Sequence, residues 1–596
     1  MSLVFRANKF IAHLLLSLIL IGTGALAADF QTELTQAKNV RDIFTGTAQA
    51  DLLIKNIHIV DVYRESIYPG SLLIHNGKII SVNSQNSNEP YIKAKQEFDG
   101  QGFYAVPGLI DGHFHFESQL VTPTALAEAM VPRGTTSIFA ECLDLVSAAG
   151  DNGLKAAKIL FNRHQELPYR IYPFAPGKKV RLEFTKAMLD WDFIFGLGEL
   201  NPSKIMIGDE ELQKIAYARS KHKLLSSHVG DLSLDQQQLF PALGIMDDHD
   251  NWSIADINHN LQIGLPSFLL YGLHGVDKIV PGIVNQHLPT DNIMMSTDNL
   301  SVEQMVNQGG LDAAVRESIA YGLPPIAAIK MSSYNTAKHF KLEDKIGSLT
   351  PGRFADILLV DNLRSFTPKY VFKNGELVAQ NGKLLRNPTI DYSTLVTKPK
   401  QGLSEFELDD FKIAPLEIST DAKKAKVTVF NFYGFGPEGF AHEQWLDINN
   451  GKIVPELNGE KLLHFAIIER FSKQGKRRVK TGYIRQFALN SGAVAVGFSS
   501  PQPNVIVMGT DAADMLNAVK AIDQHLGGFA VAADGEIKQI LPMNIYGMMT
   551  NYPIDELIEH SQALDQSLND LGHQKSGAAV NSLLEIFYLA DRHGYL

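Results

Sequence analysis

The sequence predicts an α/β protein: a barrel of repeated strand–helix units inserted into a small split β domain, followed by an α+β domain. Three observations carry that reading. Residues 105–350 alternate apolar strand candidates with helical stretches over about 250 residues, a length that suits a barrel. Short β-type runs at 51–98 are matched in style by others at 353–378, so two distant segments can share one sheet. Beyond an acidic linker at Glu405–Asp410, residues 425–596 mix β runs with helices and are long enough for a core of their own. A doubly wound open sheet shares the periodicity of 105–350 and stays open as the competing architecture.

Taken in order, the chain begins with Arg6 and Lys9 ahead of an apolar run from Phe10 to Ile21, then Ala25-Leu26-Ala27. This pattern reads as a secretory signal peptide over 1–27, because the run is shorter than the roughly 20 residues that span a bilayer. An uncleaved anchor is the alternative. The expected mature protein is periplasmic or secreted, and no later segment is apolar enough for a stable transmembrane anchor. In the first β segment, Asp51–Asp61 and Ser71–Ser81 are strand-like, with Asn76-Gly77 favouring a tight hairpin. The same signal returns at Asn374-Gly375 between the runs Arg353–Val360 and Lys369–Val378. The composite β domain is thus expected over 50–104 and 351–395, the barrel over 105–350, and the last domain over 405–596. Within the barrel, Thr136–Ala140, Phe193–Leu197, Leu224–Ser227 and Asn292–Ser296 are strand candidates, and Ser301–Ala320 and Ile326–Lys338 helical ones. In the last domain, Asn504–Met508 and Phe529–Ala533 read as strands, and Ala512–His525 and Val580–Asp591 as helices.

Composition narrows the function. The 596 residues are 45% hydrophobic and 20% charged, an ordinary globular balance, with a net charge of -11. An acidic protein of this kind repels phosphate backbones, and the basic run Lys473–Lys480 reads as a solvated face, so nucleic acid is not an expected partner. One cysteine, Cys142, excludes an intrachain disulfide and any thiolate-rich metal cluster. A metal site would have to draw on the 19 histidines and the carboxylates.

The strongest local signal is Pro107-Gly-Leu-Ile-Asp-Gly-His113-Phe-His115-Phe-Glu117-Ser118. On a strand, residues i and i+2 project to one side, so His113 and His115 can present two imidazoles to one ion. Glu199, His228, His249 and Asp298 each follow a strand-like apolar run. If those runs are barrel strands, the side chains converge on the C-terminal rim, where such barrels place their chemistry. Imidazoles with carboxylates suit divalent Mn, Fe or Zn.

On these residues the sequence resembles the amidohydrolase superfamily, in particular its adenine deaminase branch. The likeness includes Gly134-Thr135-Thr136, Gly196-Leu-Gly-Glu199, Asp248-His249-Asp250, Thr297-Asp298, Ser332–Ala337, Pro351–Asp356, Gly527-Gly528 and Leu541–Gly547, covering almost the whole mature chain. It implies a distorted (β/α)8 TIM-like barrel with a binuclear divalent centre. His113 and His115 would be the first-strand ligands, Glu199 the bridging carboxylate, His228 and His249 the next two histidines, and Asp298 the last-strand aspartate. Asp298 would also position the metal-activated water and accept its proton. Glu117 is a further catalytic candidate, the alternative being that it orients a histidine or contacts substrate. The implied reaction is deamination of adenine to hypoxanthine and ammonia, with a small-molecule substrate, a purine base, and a homo-oligomeric assembly.

The family's Asp-Pro-His-Glu block is Glu141-Cys142-Leu143-Asp144 here. Leu143 can neither transfer a proton nor donate a hydrogen bond, while Asp144 keeps a carboxylate for the acid–base role. The family's histidine-bearing stretch in the last domain is Gly497–Asn504, without histidine. Hydrolysis of another cyclic or acyclic C–N bond, or a binding protein with weakened chemistry, are therefore the alternatives to adenine.

Overall fold

The computed structural model describes residues 30–84, 93–162, 166–178, 180–200, 202–229, 232–272, 276–396, 405–432, 441–469, 479–497 and 504–573. The expected signal peptide, the helix at Val580–Asp591, residues 473–478 of the basic run and residues 498–503 lie outside them.

The first five strands are β1 (Ala50–Asp61), β2 (Ser66–His75), β3 (Lys78–Ser84), β4 (Ala94–Asp99) and β5 (Tyr104–Pro107). The barrel strands follow: β6 (Leu109–His115), β7 (Thr135–Glu141), β8 (Arg170–Ala175), β9 (Gly196–Leu197), β10 (Leu224–Leu225), β11 (Ser267–Leu270) and β12 (Ile293–Ser296). The chain then returns to the outer sheet as β13 (Ile357–Val360), β14 (Pro368–Lys373), β15 (Glu376–Gln380) and β16 (Lys383–Leu384). β13 pairs antiparallel with β5, Ile357 opposite Pro107 and Val360 opposite Tyr104, and so joins the two sequence-distant halves into one nine-stranded sheet. Both marked hairpin turns are present. Asn76 and Gly77 have φ of 50° and 73°, and Asn374 and Gly375 have 51° and 77°. Two consecutive left-handed residues are what a type I′ turn requires, and Asn-Gly supplies them with least strain.

β6 to β10 form a parallel sheet in sequential order, and β11 and β12 form a parallel pair. Two bridges curl these into a closed, distorted TIM-like barrel. Residues 245–249 form no ladder, yet the Met246 N–H donates to the Leu225 carbonyl at 2.9 Å, and Asp248 bridges Ser267 in parallel. Closure comes from a parallel bridge between Phe114 and Asp298. The open doubly wound alternative is thereby removed. Ile110, Phe139, Phe174, Phe268 and Met294 share an apolar cluster with Phe340, which follows the helix Tyr334–His339. Phe340 stacks on Phe139 at 3.8 Å between centroids, which packs the barrel rather than leaving a pore.

Expected helices are shorter than the periodicity suggests. Ser301–Ala320 divides into Val302–Asn307 and Leu311–Ala320, because Gly309 adopts φ 112°. Ile326–Lys338 divides into Pro325–Met331 and Tyr334–His339 around the buried Ser332-Ser333.

The C-terminal sheet alternates its two faces with period two. Ala493, Ala495, Ala530 and Ala532 meet the helix Ala512–Gln524 through Met515, Ala518, Val519 and Ile522. Val494, Val496, Phe529 and Val531 belong instead to the large apolar cluster that also contains barrel residues. The segment 543–552 forms the junction: Thr550 N–H donates to the Leu120 carbonyl at 2.8 Å, and Met543, Ile545, Met548 and Met549 are buried. It thus packs against the loop leaving β6 at Leu120 and Val121.

Candidate metal centre

β6 is buried along its whole length, so its two histidines leave the core together at the C-terminal rim. Their Nε2 atoms stand 3.1 Å apart. Asp298 Oδ1 lies 3.5 Å from each of them and has no hydrogen-bond partner among the described residues. Glu199, two residues past β9, places Oε1 3.3 Å from His113 Nε2, 3.6 Å from His115 Nε2 and 3.1 Å from His249 Nε2. Two overlapping donor sets result, His113–His115–Asp298 and His113–Glu199–His249, with donor atoms of each set within 4.8 Å of one another. Buried imidazole nitrogens and carboxylate oxygens converging in this way, one oxygen without a partner, fit a binuclear divalent centre. His228 stands beside the second set, Nδ1 3.3 Å from His249 Nε2 and Nε2 3.4 Å from Asp250 Oδ2.

Buried carboxylates hold these side chains in place. Asp111, one strand pleat below His113, accepts the Thr297 hydroxyl at 2.5 Å and the Thr297 N–H at 3.1 Å. Asp298 is thereby held at φ 48°, its N–H donating to the His113 carbonyl at 3.1 Å and its carbonyl accepting from Gln119 Nε2 at 3.2 Å. A non-glycine residue in the left-handed region costs free energy, and persists where surrounding bonds over-determine it. Asp248 does the same for the other side of the site, accepting the N–H groups of Val229 and Asp250 at 3.1 and 3.0 Å.

Glu141 ends β7 in register with His115 and accepts the Glu199 N–H at 3.1 Å. Space for it comes from Gly198, where a Cβ would stand 1.8 Å from Glu141 Oε1. Burial pushes the Glu141 carboxyl up to about 8, and the negative charge of Glu199 pushes the same way. The histidines divide. Burial drives the His113 imidazolium down to about 4, helped by the charge of His249, and burial with the charge of Lys178 drives His228 to about 4. Burial also opposes charge on His115 and His249, but the bond to Glu199 and the surrounding carboxylates override it and lift them to about 10 and about 9. The carboxylates thus create a strongly cation-attracting pocket.

Five of the six residues expected as ligands fall within the two donor sets, and the sixth, His228, is adjacent. Glu117 and Asp144 are buried nearby but outside those sets. Glu117 Oε1 accepts the Leu145 N–H at 3.0 Å, at the start of the helix Leu143–Ala149. Burial raises its carboxyl, opposed by that amide bond. Sequence reasoning missed Asp111, Glu141, Asp248 and Lys178 as parts of the site. Asp111 and Asp248 sit inside the quoted motifs, and Glu141 was read only as a departure. Lys178 had no pattern to mark it.

Comparison with known proteins gives the relatives of the chain. The amidohydrolase family matches residues 279–378, and the adenine deaminase C-terminal domain matches residues 441–587. The chain is 36% identical over 551 residues to an adenine deaminase of Desulforamulus reducens, covering 89% of this chain and 90% of that protein. It is 28% identical over 539 residues to an adenine deaminase of Halalkalibacterium halodurans, covering 88% and 89% of the two chains. With one of Kosmotoga olearia the identity is 29% over 555 residues, 90% and 92% covered. With its two donor sets on the barrel rim and a likeness that runs through both the barrel and the last domain, the chain belongs to the adenine-deaminase-like family of the amidohydrolase superfamily.

Proposed function

We propose that this amidohydrolase centre, built for metal-dependent hydrolysis of a C–N bond, deaminates adenine to hypoxanthine and ammonia. The observation that carries the choice of adenine is the 36% identity across 89% of the chain to an adenine deaminase. Divalent cations held by His113, His115, Glu199, His228, His249 and Asp298 would supply a water acidic enough to act as nucleophile near neutral pH. Asp298 would accept the proton of that nucleophile at Oδ1, the oxygen that faces both histidines. The Asp111–Thr297 clamp and the backbone bonds of Asp298 fix the position from which that carboxylate projects, so its place is set before substrate arrives. Asp144, within the block that ends β7, would serve the departing amine, which leaves as ammonia only after protonation.

A second reading rests on Leu143. Buried at the start of the helix Leu143–Ala149, it offers an apolar surface where the family has an imidazole. A heteroaromatic amine other than adenine, or a cyclic amide, would suit that altered wall, with the same centre attacking its C–N carbon.

The test is incubation of metal-loaded protein with adenine, following hypoxanthine and ammonia. Turnover well above that of a His113→Ala/His115→Ala double variant supports adenine as substrate. Turnover equal to that variant removes adenine, and hydrolysis of another heteroaromatic amine or small amide would then identify the second reading.

A further inference from the structure

Hydrolysis of a heteroaromatic C–N bond builds negative charge on an atom next to the carbon under attack, and a donor must meet it. Leu143 supplies none. Three polar side chains near the centre are already engaged: Gln119 Nε2 with the Asp298 carbonyl at 3.2 Å, Ser226 Oγ with Asp247 at 2.7 Å, and Thr297 Oγ1 with Asp111 at 2.5 Å. Lys178 is different. Its Nζ lies 3.7 Å from Glu199 Oε2, the oxygen turned away from the histidines, and makes no hydrogen bond among the described residues.

The backbone that carries Lys178 is firmly seated. A Cβ at Gly177 would stand 2.5 Å from the Glu199 carbonyl oxygen, so only glycine lets the turn after β8 lie against the end of β9. The Lys178 N–H donates to that same carbonyl. The Gly177 carbonyl accepts from the buried Lys214 Nζ at 2.8 Å, and Lys214 is itself paired with Glu211 at 3.0 Å. The Lys178 side chain is 21% exposed, whereas those of His113, His115, Glu199 and Asp298 are 5–8% exposed. It is therefore more open to solvent than those four side chains. The pair with Glu199 is a counter-ion contact at 3.7 Å, too long for a hydrogen bond, so the ammonium keeps its donors for another acceptor.

We propose that Lys178 is the substrate-side donor of this site, its ammonium hydrogen-bonding an acceptor atom, a ring nitrogen or a carbonyl oxygen, adjacent to the carbon under attack. Lys178 would supply the donor that Leu143 cannot, and it can do so only in a hydrolase of the kind proposed above. The substrate class is accordingly a C–N compound with an acceptor beside the reacting carbon, as in an aminated nitrogen heterocycle or a lactam.

The test compares metal-loaded wild type, Lys178→Met and Lys178→Arg on adenine and on a panel of aminated heterocycles and small amides, with metal affinity measured by chelator competition. On whichever compound the wild type hydrolyses, Lys178→Met should lower kcat/KM on the order of 100-fold. Lys178→Arg should stay within about tenfold of wild type, since it keeps charge and donors. Lys178→Met should bind metal at least as tightly as wild type, because a like charge has been removed. Equal turnover of Lys178→Met and wild type overturns the proposal and leaves the hydrolase reading standing. A loss of turnover that tracks a loss of metal also overturns it, by showing a structural counter-ion. A wild type that hydrolyses nothing in the panel removes the reading beneath the proposal, and the proposal with it.

Discussion

Asp298 is the most constrained residue of the centre. Its φ of 48°, its N–H on His113 and its carbonyl on Gln119 fix its backbone, from which Oδ1 reaches to 3.5 Å of both imidazoles. Asp298→Asn keeps the shape and removes the proton acceptor. Activity should fall by about 10²–10⁴-fold, the usual range for loss of a general base. Steady-state kinetics with metal content checked in parallel would read this, and a fall of less than about tenfold would contradict the role. Gly198 gives a complementary case. Gly198→Ala would drive a methyl group into the Glu141 carboxylate, break its bond to the Glu199 N–H and cost about 1–3 kcal/mol, as overpacking does. Denaturant unfolding and metal titration would measure it; unchanged stability and metal affinity would show that Glu141 does not support Glu199. At this scale the histidine pair was readable because a strand repeats every two residues and β6 is a true strand. Glu141 was not readable, since what makes it part of the site is the neighbouring β9 and the gap left by Gly198.

At the scale of elements, the apolar runs marked the barrel strands but not their lengths. Phe193–Leu197 shrinks to the two residues of β9, and 245–249 pairs through single bonds. Ladders between tilted barrel strands need only a few bonds to hold a segment that is packed on both faces, and burial pattern does not report those bonds. The junction of barrel and outer sheet was likewise silent in the sequence. There Asp356, buried, meets Lys373 Nζ at 3.0 Å and the Arg170 guanidinium at the start of β8. Burial raises the Asp356 carboxyl, but Lys373 and Arg170 outweigh it and hold it below its ordinary value of 3.8. Stability from this carboxylate is therefore fully present above the ordinary value and lost as pH falls through the lowered one. Asp356→Asn leaves the buried Lys373 without its partner, while Arg170 keeps Asn374 and the Phe354 ring, and should cost about 3–5 kcal/mol. Urea unfolding near neutral pH checks this, a loss below about 1 kcal/mol being the contrary result.

Across the whole molecule, one apolar cluster runs from the barrel into the C-terminal sheet, and Thr550 ties that sheet to the loop leaving β6. A chain ending at residue 396 would expose the face of the barrel that Met543, Ile545, Met548 and Met549 cover. It should be insoluble or lack cooperative unfolding, by size-exclusion chromatography and thermal melting; a soluble, cooperatively folding fragment would contradict a shared core. The division into a split β domain, a barrel and a last domain was legible because hairpin turns and strand–helix alternation are local signals. The joining of barrel and last domain was not, since long-range packing of apolar faces leaves no local mark. Export is proposed from Arg6, Lys9 and the apolar run that follows, and N-terminal sequencing of protein from the periplasm should begin at Ala28. Retention of residues 1–27 in the mature protein would contradict it.

The central claim is that paired donor sets sharing His113 make this chain a binuclear metal hydrolase of C–N bonds. It is tested most directly by stripping the protein of metal and titrating it with Mn(II) or Zn(II) while following adenine and the heterocycle and amide panel. Hydrolysis should be absent in the stripped protein, rise with added metal and saturate near two equivalents per chain. Hydrolysis that persists in the stripped protein, or saturation at one bound metal per chain or fewer, would contradict it.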